Sequence, residues 1–181
     1  YPLGLFEHWL EVPEVLKTFA THAVTGEPMT QQLLDKLLGA SNFDIGFATV
    51  EYLASAFVDI EFHDGDLPDD LMAKQNSVLA ALGMPKAITM RHATPQFAHV
   101  FTGDGYSSGY YSYMWSEVMD ADAFAAFAET GDPFDTERAA SLDRHILSAG
   151  NSADPEELYR AFRGRLPGVE ALLKGRGLSR T

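Results

Sequence analysis

The sequence has no cysteine among its 181 residues. That excludes a disulfide framework and any thiolate metal site, and it suits a reducing compartment, so a cytoplasmic location is expected. Cations are scarce: 13 Lys and Arg stand against 26 Asp and Glu, for a formal net charge of −13. Phosphate backbones are gripped by clustered cations, so no nucleic-acid partner is expected. No apolar run approaches the roughly 20 residues that span a bilayer, so no membrane partner is expected either. Convincing strand alternation, internal repeats and low-complexity segments are all missing. Three catalytic signatures are also missing: G-x-S-x-G, the phosphate loop, and the H-E-x-x-H that sets two imidazoles on one helical face. Tyr1-Pro2-Leu3-Gly4-Leu5-Phe6 has neither the basic region of a signal peptide nor an initiator methionine, which raises the expectation of a piece of something longer.

What is present is helical periodicity. Hydrophobic residues make up 46% and charged residues 22%, a balance that supports a packed core rather than disorder. The expectation is an all-α fold in which residues 1–181 form a single helical region. Leu5, Trp9, Leu10, Val15, Leu16 and Phe19 are spaced for one kinked helix, or two short ones divided at Pro13. Thr30 reads as an N-cap for a helix that Gly39 closes. Residues 42–62 carry Phe43, Phe47, Val50, Leu53, Ala54, Phe57 and Ile60 in a stripe wide enough to predict burial on several sides. Pro68 suits the first turn of a helix that runs to Leu82. Residues 84–105 are the least periodic, and long loops of this kind are often functional. Helices are then predicted over 106–130, from Asp135 through Ser148, from the Asp154-Pro155-Glu156-Glu157 start signal to Arg163-Gly164, and over 168–174.

The most informative stretch runs from Phe97 to Trp115. It places His99 before a turn containing Gly103 and Gly105, then sets Tyr106, Tyr110, Tyr111 and Tyr113 within eight residues. A helix from 106 onward would put Tyr106, Tyr110 and Tyr113 on one face, at i, i+4 and i+7. Such a face has two readings. One is a buried aromatic stripe with satisfied hydroxyls. The other is a polar wall, since a phenol can hydrogen-bond a carbonyl oxygen that gains charge in a transition state. Glycines at 103, 105 and 109 favour the second, because they mark a mobile turn or a close approach.

The other candidates are weaker. His8 and Glu11 lie three apart on a helix, a common pattern on solvated faces. His92 and His99 offer two imidazoles, and even a catalytic zinc wants a third ligand. On the residues alone, no metal site is expected. Arg138, Arg144, Arg160, Arg163, Arg165, Arg176 and Arg180 alternate with acids and read as surface ion pairs of small net value.

Several segments in order resemble a known family. These are Phe6-Glu7-His8-Trp9; Phe47-Ala48-Thr49-Val50-Glu51-Tyr52-Leu53-Ala54; Met90-Arg91-His92; and Phe97-Ala98-His99-Val100-Phe101. Most specific is Gly105-Tyr106-Ser107-Ser108-Gly109-Tyr110-Tyr111-Ser112-Tyr113-Met114-Trp115-Ser116-Glu117, and Tyr159 to Gly164 and Leu172 to Leu178 continue the match. Together they resemble the C-terminal part of the thimet oligopeptidase and peptidyl-dipeptidase family of zinc metallopeptidases, in particular its bacterial peptidyl-dipeptidase and oligopeptidase A-like branch. The resemblance implies a helical catalytic domain in which zinc, held by H-E-x-x-H and a downstream glutamate, activates a water. It implies that Tyr113 and Tyr106 are catalytic hydrogen-bond donors to the oxyanion, and that His99 and Tyr110 contact a short peptide substrate. Gly103 and Gly105 would form the turn that lets this wall close.

Set against that family, the chain is much shorter and the zinc-binding helix is absent. Counting back from Phe6-Glu7-His8-Trp9 puts the glutamate ligand just before Tyr1. The expectation is therefore a C-terminal fragment carrying the substrate-side wall. Alone it would neither bind zinc tightly nor hydrolyse peptides, its partner would be a missing N-terminal catalytic half, and uncovered apolar surface would drive self-association. The alternatives are a stand-alone helical peptide-binding module and a purely structural helical domain.

Overall fold

The computed structural model describes residues 2–179; Tyr1 and Arg180, both named above, lie outside the described residues. The fold is all-α: ten α-helices among the described residues, no strand, and one isolated bridge between Thr21 and Pro28. In chain order they are α1 (Pro2–Glu7), α2 (Pro13–Phe19), α3 (Gln31–Ala40), α4 (Ile45–His63), α5 (Leu71–Ala81), α6 (Ala98–Phe101), α7 (Ser112–Ala128), α8 (Thr136–Leu142), α9 (Pro155–Arg163) and α10 (Glu170–Gly175). The chain groups into two compact units, one up to Phe43 and again from Trp115, the other Asp44–Met114.

In the first unit the starts and stops follow the side chains. Pro13 breaks the N-terminal periodicity into α1 and α2, with a 3₁₀ turn His8–Glu11 between. Thr30 Oγ1 accepts from the Leu33 N–H, so the cap is where the sequence puts it. Gly39 does not close α3; the helix takes it in and ends at Ala40. Asp135 and Asp154 cap α8 and α9, and Gly164 ends α9 at φ +83°, where a Cβ would be strained. After α8 the backbone widens into a π-helical turn, Asp143–Leu147. Leu5, Ala123, Ala126, Phe127, Leu142 and Phe162 form the core, with Trp9 edge-on to Phe127 at 5.0 Å. Burying each large side chain contributes about 1.5–3 kcal/mol.

A polar network seats beside that core. Arg163 is 7% exposed, and its Nε donates to the Asp122 carbonyl and to Asp122 Oδ2 at 3.2 Å each. Its two terminal nitrogens hold Glu129 bidentately, and Arg165 reaches the other Asp122 oxygen. The Tyr159 hydroxyl lies 2.9 Å from Asp122 Oδ2. The surface-pairing expectation therefore fails for Arg163. Charge alternation does not reveal that a guanidinium follows its aspartate partner into the interior. Its bond to Arg163 draws the Glu129 carboxyl below its ordinary range, and the same bond raises Arg163.

The second unit has its core where α4, α5 and residues 90–100 supply Ala54, Val58, Phe62, Leu79, Met90, Phe97 and Val100. Of the predicted stripe on α4 only Ala54 is buried; the other buried residues of the helix, Ser55, Ala56, Val58, Asp59 and Phe62, are not stripe residues. Phe47, Val50, Phe57 and Ile60 stay substantially exposed, as does Phe43, 80% exposed, before the helix. A wide stripe states that apolar surface exists, not which element covers it. Asp44 starts α4 in the left-handed region. Pro68 precedes α5 rather than starting it, because Asp70 accepts from the Ala73 N–H and caps the helix at Leu71.

Candidate active site

The candidate residues all fall in the second unit. Helix α4 supplies the support. Tyr52, Ser55 and Asp59 follow at steps of three and four, which puts them on one face. Tyr52 and Asp59 reach the segment that carries the candidate residues, and Ser55 reaches His92 upstream of it. The Tyr52 hydroxyl donates to the Tyr110 carbonyl and accepts from the Met114 N–H. Ser55 Oγ lies 3.2 Å from His92 Nδ1. Asp59, with no exposed surface, accepts from the Ser108 N–H at Oδ1 (3.1 Å) and from the Tyr110 N–H at Oδ2 (2.9 Å).

That capture changes the predicted geometry. The helix expected from Tyr106 starts only at Ser112. Residues 104–106 are a 3₁₀ turn, Ser108 sits at φ +56°, and the N–H groups that would extend a helix upstream go to Asp59. Gly109 donates to the Tyr106 carbonyl, and a Cβ at Gly109 would approach that oxygen to 3.1 Å. The i, i+4, i+7 argument therefore does not apply, yet the phenols still meet.

They meet around His99. The Tyr106 ring stacks on the imidazole at 4.6 Å between centroids, Tyr110 stands edge-on at 5.8 Å, and Tyr113 is tilted at 5.9 Å. Tyr113 Oη is 3.1 Å from His99 Nε2. His99, Tyr106 (61% exposed) and Tyr113 (46% exposed) present themselves to solvent. A buried aromatic stripe is excluded for Tyr106 and Tyr113. It describes only Tyr110, half-buried against Phe97, Tyr52 and His92. Burial raises the Tyr110 phenol above its ordinary range. Burial likewise lowers His92, whose ring stacks on Phe97 at 4.7 Å.

The two turn glycines differ. Gly103 has φ +130° and ψ 176°, a region that glycine alone occupies readily. Gly105 has an ordinary φ and open space where a Cβ would point. A groove of about 280 Å³ in the same unit is lined by Phe47, Val50, Met84, Ile88 and Met90, with Glu51 and Arg91 paired at 3.3 Å among its walls.

The tautomer of His99 decides what Tyr113 can do. If Tyr113 donates to an unprotonated Nε2, its hydrogen is occupied. If Nε2–H donates to the phenol oxygen, the phenol hydrogen is free to point at a ligand. Among the described residues, no group of three His, Asp or Glu side chains could hold a metal ion. The described residues do not fit a zinc site, and their chemistry is that of hydrogen-bond donors and aromatic surfaces.

A family model described as Peptidase family M3 matches residues 4–178. The chain belongs to peptidase family M3. It is 36% identical over 183 residues to Oligopeptidase A of Escherichia coli (strain K12), covering 98% of this chain and 26% of that protein. It is 34% identical to the Dipeptidyl carboxypeptidase of the same organism, covering 99% of this chain and 27% of that protein. Saccharolysin of Saccharomyces cerevisiae is 26% identical, over 98% of this chain. The chain thus spans about a quarter of the length of the curated relatives it matches. As an M3 chain it has the helical fold and the peptidase kinship that the sequence resemblance implies. The residues singled out in the sequence, His99, Tyr106, Tyr110 and Tyr113, lie together in the structure. Their supports Tyr52, Ser55 and Asp59 were not singled out, though polar residues at helical spacing on an otherwise apolar helix were a signal for them.

Proposed function

We propose that this chain supplies the substrate-side wall of a zinc-dependent peptidase that hydrolyses short peptides and releases dipeptides, with the metal half contributed by sequence outside it. The observation that carries the reading is the exposed cluster of His99, Tyr106 and Tyr113, built on a buried support. Exposed phenols beside an imidazole offer donors that desolvated ones do not. Tyr113 donates to the carbonyl oxygen as it gains charge, with Tyr106 as second donor. His99 orients Tyr113, and Tyr110 braces both from beneath. Gly103 and Gly105 form the turn that lets the wall adjust to a bound peptide. Zinc, when bound by the metal half, supplies an activated water.

The same reading treats both compact units as parts of one catalytic domain in the cytoplasm. It has the missing half cover apolar surface such as Phe43 and Phe47; without that half the chain self-associates. The chain alone neither holds zinc tightly nor turns over peptide. A peptide-binding module without catalysis is the second reading; it keeps the exposed cluster of His99, Tyr106 and Tyr113 and needs no metal half. The test pairs the 181-residue chain with a longer product of the same reading frame. Chelator-sensitive hydrolysis of short peptides by the longer product only is expected. Peptide binding without hydrolysis by both would favour the module.

A further inference from the structure

Asp59 is a carboxylate buried at the centre of the second unit, and the chemistry above makes no direct use of it. Its partners are unusual for a buried acid. Among the described residues neither oxygen meets an arginine or lysine; instead they accept from two backbone N–H groups, of Ser108 and Tyr110, on a segment 49 and 51 residues away. A third contact comes from one helical turn along α4. His63 Nδ1 lies 2.9 Å from Asp59 Oδ1 and 2.8 Å from the Asp59 carbonyl oxygen. Both neighbours are acceptors, so Nδ1 carries the hydrogen and donates. The His63 ring is itself held by stacking on Phe101 at 5.1 Å.

The two amides that Asp59 holds flank a close turn, where a Cβ at Gly109 would approach the Tyr106 carbonyl oxygen to 3.1 Å. Between them lies Gly109, and Ser108 adopts φ +56°, a conformation that an L residue keeps only when its surroundings impose it. Tyr106 precedes this turn and Tyr113 follows it, so the turn sets where both phenols stand relative to His99.

We propose that Asp59 is the positioning residue of the tyrosine wall. Its buried carboxylate, oriented by His63, fixes the Ser108–Tyr110 turn and thereby aims Tyr106 and Tyr113 at the substrate. The proposal rests on the peptidase reading above, and a non-catalytic readout keeps the two separable.

The first arm measures amide hydrogen exchange in the 181-residue chain. Asp59→Asn puts an amide where a carboxylate accepted, so the Ser108 and Tyr110 amides should exchange about tenfold faster or more, with Val58 and Phe62 unchanged. Unchanged exchange at 108 and 110 would overturn the proposal. If Asp59→Asn does not fold, His63→Leu keeps the carboxylate, removes only the third donor, and should accelerate the same two amides; equal exchange there would again overturn it.

The second arm is a double-mutant cycle in the longer, hydrolysing product. Asp59→Asn should lower kcat about tenfold or more with little change in KM, and should lose that effect in a Tyr113→Phe background. Additive losses would show that Asp59 merely stabilises the fold, and would overturn the positioning role. If Tyr113→Phe has no effect on kcat, the peptidase reading fails, while the exchange arm still decides whether Asp59 holds the turn.

Discussion

Among the described residues the first unit buries Asp120 and Asp122 and the second buries Asp59, and the two most deeply buried, Asp122 and Asp59, are used differently. Asp122 in the first unit is surrounded by Arg163, Arg165 and the Tyr159 hydroxyl, all side chains on or just beyond α9. Asp59 in the second is surrounded by backbone amides of a non-helical turn and by His63. A buried acid matched to guanidinium ties helices together. A buried acid matched to backbone amides dictates the path of a loop, and here the loop carries the exposed phenols. The first arrangement builds scaffold; the second aims a surface.

The comparison can be broken most forcefully at Arg163. Arg163→Ala removes a nearly buried guanidinium from Asp122 and Glu129, and should cost about 3–5 kcal/mol in denaturant unfolding. Near-neutral behaviour would mean that Arg165 and Tyr159 suffice for Asp122, and the scaffold role would fall. A smaller effect is expected in the turn. Gly103→Ala should cost about 1–3 kcal/mol, because φ +130° with ψ 176° suits glycine only, whereas Gly105→Ala should be nearly neutral. Equal costs at the two positions would show that the turn relaxes freely.

Acid should separate the two regions by a still smaller effect. Burial lowers His92, so its folded pKa lies below the unfolded value of about 6.5. Its neutral form is favoured by folding, and the associated stability is present above that value and lost as pH falls below it. Glu129 is lowered by its bond to Arg163, so its contribution is present above an unfolded value of about 4.3 and lost as pH falls further. Amide exchange followed downward from pH 7 should therefore loosen the His92 surroundings before those of Glu129. His92→Phe should abolish the earlier step.

Much of this architecture was legible in the sequence. Thr30, Asp135 and Asp154 announced their helices, Pro13 its break, and His99, Tyr106, Tyr110 and Tyr113 their neighbourhood. The route to that neighbourhood was not legible. Helical spacing put Tyr106, Tyr110 and Tyr113 together by a route the chain does not take, because Asp59 redirects the 108 and 110 amides and periodicity cannot see a partner some fifty residues away. The same blindness hid the burial of Arg163. It also made the apolar stripe of α4 look buried, since local pattern reports what a segment needs and not what meets it.

The most direct test of the central claim is Tyr113→Phe in the longer, hydrolysing product, with kcat and the unfolding midpoint measured on the same preparation. Tyr113 is exposed and its hydroxyl is hydrogen-bonded to His99, so the fold should be unaffected. Loss of one oxyanion donor should lower kcat by about 10²–10³. An unchanged kcat, or a loss that follows a fall in the unfolding midpoint, would contradict the substrate-side role assigned to this wall.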